Sequence, residues 1–375
     1  EQLASLVGAG SALDDPALLR SYSSDLSFAP PRRPTLVVKP ASVEQVQDLV
    51  KLAAETKTPL VPVSSGEPRF RGDTVPRMGG AIVDMSSMNQ IKVVDRKQRV
   101  AMIEPGVTFG QLQPALASEG LRLPTPLCPR ATKSVVGSCL EREPHIIPKY
   151  HLDHSEPMLC NEVVFGTGDV FRTGDAVGPG TIEEQQAAGR FQKVPFGLQM
   201  NVNQLIQGAQ GSFGIVTWST VRCEVLPQLQ KPFLAGSEDL KQLLELAYRM
   251  VRVRLGDELF ILNDTNLALL MGKDPTETKR LKAELPAWNL FFYIAGYQHR
   301  PEGRVEYQEK DIRDIAKNIG VPIQETLCGV SAERVLTRAT NPSPEPYWKL
   351  RAGGGCQDIP FISPMGKVSD LVDVM

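Results

Sequence analysis

The sequence predicts an α+β protein of two units, and three observations carry that expectation. In the first half, amphipathic helical stretches are mixed with short β-prone runs spaced as hairpins rather than as repeated strand–helix–strand units. Three glycine-bearing bends, 62–72, 132–138 and 208–215, fall between those elements. After Pro232 the long Gly/Pro loops disappear and helical patterns alternate with strongly apolar strands. At 375 residues, the prior of roughly 100–200 residues per domain also gives about two. No internal repeat and no low-complexity tract interrupts the pattern.

Residues 43–56, "VEQVQDLVKLAAET", put Val46, Leu49, Val50 and Ala53 on one helical face, with Ser42 as N-cap and Gln45 three residues on. "TPLVPV" then reads as a buried strand. "GGAIVDMS", "IKVVD" and "RVAMIEPG" follow as three β-prone segments. "TFGQLQPALASEG" is a second amphipathic helix, capped by Thr108 and ended by Gly120. "NEVVFGTGDVFRTG" is β-rich with its turn at 166–168, and a Gly/Pro/Glu-rich loop is expected over 174–190. Beyond it come helices over 239–253 and 303–318 and strands in "ELFILND" and "NLFFYIAGY".

Composition excludes several classes. Lys+Arg 41 against Asp+Glu 43 leaves a net charge of −2, so nothing points to nucleic acid or an anionic membrane surface. No apolar run approaches the roughly 20 residues of a membrane span, and no signal peptide is visible. Six cysteines lie far apart without a C-x-x-C pair, which argues against a zinc knuckle or iron–sulfur cluster within the chain. Dispersed thiols point to a reducing compartment, the cytoplasm.

The bend at 61–72, "VPVSSGEPRFRG", fits neither G-x-x-x-x-G-K-[ST] nor G-x-G-x-x-G. Small residues nevertheless let successive backbone N–H groups form a concave nest for an anion. Arg69 and Arg71 have the fork geometry to neutralise a diphosphate. Taken singly, each bend reads equally well as a tight turn; three of them in this order are more informative.

In that order, "RPTLVVKPASVEQVQDLVKLAAE", "PLVPVSSG", "GGAIVDMSSMNQI", "VAMIEPGVTFGQLQPAL" and "GSFGIVT" resemble the flavin-binding domain of the vanillyl-alcohol oxidase/p-cresol methylhydroxylase superfamily. "WNLFFYIAGY" with "RVEY", and "FISPMGKVSD", resemble the cap-domain and flavin-proximal strands of its phenol-oxidising branch. The resemblance implies a two-subdomain FAD-binding domain over 1–231 and an α+β cap domain, an antiparallel sheet covered by helices, over 232–362. Residues 363–375 would begin a C-terminal return segment that is incomplete here. It further implies FAD contacts from Pro62, Val63, Ser64, Ser65, Gly66, Glu67 and Phe70, from Ser134, Val135, Gly137 and Ser138, and from Gly211, Gly214 and Ile215. Glu67 would repel phosphate if it pointed inward, so its side chain is expected to face solvent.

The diphosphate loop holds no His, Cys or Tyr, and Asp358, Ile359 and Pro360 precede "FISPMG" where relatives often carry a flavin-linking residue. Non-covalent FAD is therefore expected. The family's phenol-site positions fall at Phe70 or Arg71, Pro129 and Ile146, and its residues are not retained there. "PHIIPKYHLDHSEPMLC" instead offers His145, His151 and His154 with Tyr150. Imidazole suits proton acceptance from a substrate hydroxyl. His151, Tyr150, His154 and Arg71 are thus the catalytic candidates, with a metal site through His151, Asp153, His154 or Cys160 and a plain surface loop as the alternatives; no metal is expected.

The expected function is an FAD-dependent oxidoreductase taking a hydride from an alcohol, hydroxy acid or 4-alkylphenol/benzylic carbon and passing electrons to a separate acceptor. The alternatives are a 2-hydroxy-acid dehydrogenase subunit and a non-catalytic flavin-binding electron-relay subunit. The expected partners are a small-molecule substrate, an iron–sulfur or cytochrome acceptor subunit, and other chains in a homo- or hetero-oligomer.

Overall fold

The computed structural model describes residues 6–8, 10–69, 72, 74–145, 147–148, 157–195, 201–344, 347–359 and 362–374. Within them, three main sheets organise the chain.

The first sheet has the order Ala12–Leu13, Leu36–Val38, Ala81–Asp84, Leu60–Val63, and its last three strands are parallel. The crossover between Leu36–Val38 and Leu60–Val63 is the helix Val43–Thr56, as its 3.6-residue periodicity requires. Its buried residues are Val46, Leu49, Val50 and Ala53, and the Ser42 hydroxyl accepts from the Gln45 amide at 3.3 Å.

The second sheet is antiparallel, ordered Val170–Arg172, Met158–Phe165, Gly214–Arg222, Val100–Ile103, Ile91–Asp95. Strands 158–165 and 170–172 form the expected hairpin. The helix Phe109–Ser118 buries Phe109, Leu112 and Leu116, and its capping box joins Thr108 and Gln111. It shares one core with Ala101, Ile103, Val163, Val216 and Val221 of the sheet.

The third sheet is ordered Leu229–Ser237, Trp288–Gly296, Glu258–Asn263, Ile147–Pro148, all antiparallel. Period-2 alternation along Trp288–Gly296 decides which helices cover which face. Phe291, Tyr293 and Ala295 pack under Asp264–Met271 and Ala332–Thr340. Leu290, Phe292 and Ile294 pack under Leu240–Arg252 and Pro301–Ile319.

The fourth strand of this sheet comes from 147–148, far back in the first half of the sequence, so the two halves share a sheet edge. Main-chain bonds also stitch them together: Cys128 N to Ala339 O at 2.9 Å, Ala131 N to Ser343 O at 2.7 Å and Ser343 N to Pro129 O at 2.9 Å. A buried ion pair, Arg122 with Glu258, crosses the same boundary. One expectation fails locally. The stretch 174–190, read as a loop, contains the helix Ile182–Ala187, nucleated by a Thr181–Glu184 capping box that its Gly/Pro content hides.

Candidate functional site

Two cavities draw on neighbouring stretches of chain: the first on residues 60–65 with Gly137, Leu140 and Glu141, the second on residues 126–130 and 143–144. The first, of about 270 Å³, collects all three glycine-bearing bends. Pro62, Val63, Ser64 and Ser65 come from the end of the strand Leu60–Val63, Gly137 from the short helix Val135–Leu140, and Gly211, Gly214 and Ile215 from the entry to the strand Gly214–Arg222.

The bends are mutually fastened. The Gly66 amide donates to Thr132 O at 2.9 Å, the Ser134 amide to the Ser65 hydroxyl at 3.2 Å, and the Thr132 hydroxyl to Glu67 O at 3.1 Å. Two glycines are tightly enclosed. A Cβ on Gly137 would lie 2.9 Å from Ser64 Oγ, and Gly211, at φ +79°, would place one 2.7 Å from Pro62 Cγ. Apolar walls from Leu60, Met85, Pro105 and Val216 close one side, while Ser64, Ser65, Gln210 and Ser212 supply polar groups. A trough of small residues beside apolar walls can offer hydroxyls and amides to phosphate oxygens and an apolar surface to a flat ring.

The expected FAD contacts divide by position. Ser134 and Ser138 are fully buried; the Ser134 hydroxyl donates to Pro105 O at 2.6 Å, and that of Ser138 to Glu143 Oε2 at 2.6 Å. Val135 belongs to the core beneath the trough. These three hold the wall in place and do not line it. Gly66 packs on Thr132 rather than on the cavity. The Glu67 side chain is 58% exposed, facing solvent as expected. Arg69 is corrected: its guanidinium stacks 4.0 Å above the Tyr22 ring and donates to Ser21 O at 3.3 Å, turned from the trough by cation–π attraction. Phe70, Arg71, Tyr150, His151 and His154 lie outside the described residues.

His145 is described. It bridges Pro126 through its backbone, and burial pushes its imidazole down to about 4. It lines neither cavity. For the metal alternative, His151, Asp153 and His154 lie outside the described residues, while the Cys160 thiol donates to Asp175 Oδ1 at 3.0 Å, and burial and that carboxylate raise its pKa. Among the described residues no group of three His, Cys, Asp or Glu is placed to hold a metal.

Sequence reading missed several residues of the first cavity. Glu141 lines it and pairs with buried Lys133, which offsets its charge near a phosphate trough. Thr74, Met85 and Pro105 also line it. None has a local signal, because each arrives through tertiary folding.

The second cavity, about 270 Å³, sits between the two halves. Residues 126–130 and 143–144 face Leu262, Asn266, Tyr347, Trp348, Lys349, Asp358 and Ile359. Arg130 donates to the carbonyl of Pro68, so the diphosphate-type bend and the wall of the second cavity are tied by one side chain. Across from it, the Tyr347 hydroxyl donates to Asp358 Oδ2 at 2.7 Å and Lys349 pairs with Asp358 Oδ1. Burial and the Asp358 charge raise the Tyr347 pKa, so that phenol stays protonated.

Comparison with known proteins agrees with this geometry. Residues 34–145 match an FAD binding domain family. The chain is 26% identical over 309 residues to the 4-cresol dehydrogenase [hydroxylating] flavoprotein subunit of Pseudomonas putida, covering 76% of this chain and 56% of that one. It is 28% identical over 258 residues to the mitochondrial D-lactate dehydrogenase [cytochrome] of Arabidopsis thaliana, covering 67% of this chain and 42% of that one. The chain thus spans about half the length of these relatives. Its fold matches that of p-cresol methylhydroxylase solved with substrate bound, at a TM-score of 0.76 and 23% identity over 95% of this chain and 71% of the other.

Proposed function

We propose that this chain, which belongs to the vanillyl-alcohol oxidase/p-cresol methylhydroxylase superfamily of FAD-binding proteins, is an FAD-dependent oxidoreductase acting on a C–H bond beside oxygen or on a benzylic carbon. The observation that carries the reading is the convergence of all three glycine-bearing bends on one trough. The cofactor, when bound, supplies the two-electron acceptor for a hydride. The chain's own residues hold and orient it. Ser64 and Ser65 would meet the phosphates, and Gly137 and Gly211 would leave room for close backbone approach. Pro62, Val63, Gly214 and Ile215 would hold the rest of the cofactor. Lys133 balances Glu141 at the trough's edge.

FAD is held without a covalent link, since the 61–72 bend offers no His, Cys or Tyr and Asp358 is engaged by Tyr347 and Lys349. The substrate occupies the second cavity, whose lining residues 126–130 and 143–144 flank in sequence the Gly137, Leu140 and Glu141 of the trough. Electrons leave to a separate acceptor, supported by the relative's description as a flavoprotein subunit. All six cysteines are free thiols, in keeping with a reducing compartment. Among the described residues no helix is long and apolar enough to cross a membrane.

The likeness to D-lactate dehydrogenase favours a second reading, a 2-hydroxy-acid substrate. The test is reconstitution with FAD followed by anaerobic titration with alkylphenols, benzylic alcohols and hydroxy acids. Flavin absorbance in the reconstituted protein and its bleaching by one class are expected. A chain that takes up no FAD would overturn the proposal.

A further inference from the structure

We infer that Tyr22 is a positioning residue for FAD: it holds Arg69 outside the trough, and through Arg69 the segment 21–26 keeps the 64–69 bend in the shape that meets the diphosphate. The inference rests on the flavin reading above and deepens it, because it assigns the shape of the phosphate subsite to a stretch of chain that does not line the trough.

The bend is gripped from two sides. On one side, Gly66, Glu67 and Pro68 are bonded to Thr132 and Arg130. On the other, the Arg69 guanidinium stacks 4.0 Å from the centre of the Tyr22 ring and donates to Ser21 O at 3.3 Å. The Leu26 amide donates to Arg69 O at 2.9 Å, and the Gly72 amide donates to Asp25 Oδ2 at 2.6 Å. Arg69 also reaches back to Glu67, 3.5 Å from its Oε1, and so steadies that carboxylate on the solvent side. Arginine is therefore used here as an anchor behind the phosphate bend.

Tyr22 is itself fixed. Its hydroxyl donates to Asp84 Oδ2 at 2.9 Å, and Lys39 pairs with the same oxygen at 3.1 Å. Burial and the Asp84 charge raise the Tyr22 pKa, so the phenol stays protonated and keeps donating. The other oxygen of Asp84 accepts from the Ser86 amide at 3.0 Å and shapes the turn Met85–Ser87, whose Met85 lines the trough. Asp84 also stands opposite Val63 in the parallel register. One carboxylate thus sets both the Tyr22 ring and the turn that carries a trough residue. Tyr22 and Arg69 are only 6% and 9% exposed, and a desolvated cation–π contact is stronger than one in water. A bend fixed before binding loses less freedom when the ligand arrives.

The test is FAD titration of the apo protein by flavin fluorescence, at a temperature below the melting of every variant. Tyr22→Leu should weaken FAD about tenfold, as expected for losing a buried cation–π contact. Tyr22→Phe keeps the ring face and should stay within about threefold of wild type. Arg69→Met should lose about as much as Tyr22→Leu. The double variant should be no weaker than either single one, because both break the same contact. Independent structural damage would instead multiply the two losses, and that result would overturn the inference. So would a Tyr22→Leu protein that binds FAD within about threefold of wild type, or more tightly, since a released Arg69 would then serve the phosphates directly. If Tyr22→Leu does not fold, Tyr22→Met, likewise without a ring face, takes its place in the same cycle. These outcomes leave the flavin reading intact, which fails separately if the wild-type chain takes up no FAD.

Discussion

The two cavities draw on neighbouring residues, Gly137, Leu140 and Glu141 for the trough and 126–130 with 143–144 for the other, and differ in what they are made of. The trough is backbone, hydroxyls and glycines: Ser64, Ser65, Gly137 and Gly211 stand within a few residues of strand or helix ends, and hydrogen bonds between bends fix them to one another. The second cavity is side chains. Tyr347, Lys349 and Asp358 reach a wall contributed by residues 126–130, far earlier in the sequence. A site of main-chain groups depends on local conformation and steric room. A site of side chains gathered across an interface depends on that interface staying closed. The two should therefore fail under different insults.

Breaking the interface is expected to have the largest effect. Arg122 and Glu258 form a buried ion pair between the halves, with side chains only 15% and 6% exposed, and the Glu258 charge holds the Arg122 guanidinium in its cationic form. Glu258→Gln strands that cation, and removing one partner of a buried pair costs about 3–5 kcal/mol. Chemical denaturation should show the loss, with the second cavity's ligands losing affinity more than FAD does. Equal losses at both cavities would erase the distinction between them.

Crowding the trough comes next. At Gly137 a Cβ alone would already lie 2.9 Å from Ser64 Oγ, and Gly137→Leu adds three further carbons there. Overpacking costs about 1–3 kcal/mol, so FAD affinity should drop on the order of 100-fold. Thermal stability without added FAD should also fall, by the same overpacking cost of about 1–3 kcal/mol. Flavin fluorescence titration measures the first and a melting curve the second.

The smallest effect is in acid. His145 lies beside the second cavity, bridged to Pro126, and burial pushes it from 6.5 down to about 4. Its folded pKa is depressed, so the unfolded chain binds the proton first as pH falls. The contribution is intact above pH 6.5 and is lost progressively toward about pH 4. With partial exposure discounted, it amounts to roughly 2 kcal/mol. His145→Gln should flatten that limb of the stability profile, and an unchanged profile would remove His145 from the account.

The same contrast explains what could be read from the sequence. The helix Val43–Thr56 was legible because Val46, Leu49, Val50 and Ala53 recur at helical spacing and Ser42 caps it; both signals are local. The strands and helices of the third sheet were legible from the apolar run "NLFFYIAGY" and the amphipathic stretches around it, and the resemblance supplied their arrangement as a helix-covered sheet. The trough was legible only from the three bends together and the resemblance their order carries, since each bend alone reads equally well as a tight turn. Arg69 misled for the opposite reason: its type suited a diphosphate, and only the position of Tyr22, far away in sequence, shows where it points. The helix Ile182–Ala187 was hidden because glycines and a proline before its capping box outweighed the box in a composition-based reading.

By itself the sequence determined the α+β class, the main helices and strands and the places of three glycine-bearing bends, because periodicity, capping and glycine conformation act over a few residues. Only the tertiary structure decided that Ile147–Pro148 joins the third sheet and that Arg122 meets Glu258. It alone also sets Asp358 between Tyr347 and Lys349 at a cavity shared by both halves. Contacts between groups far apart in the chain follow from how packed layers dock, which no local pattern encodes.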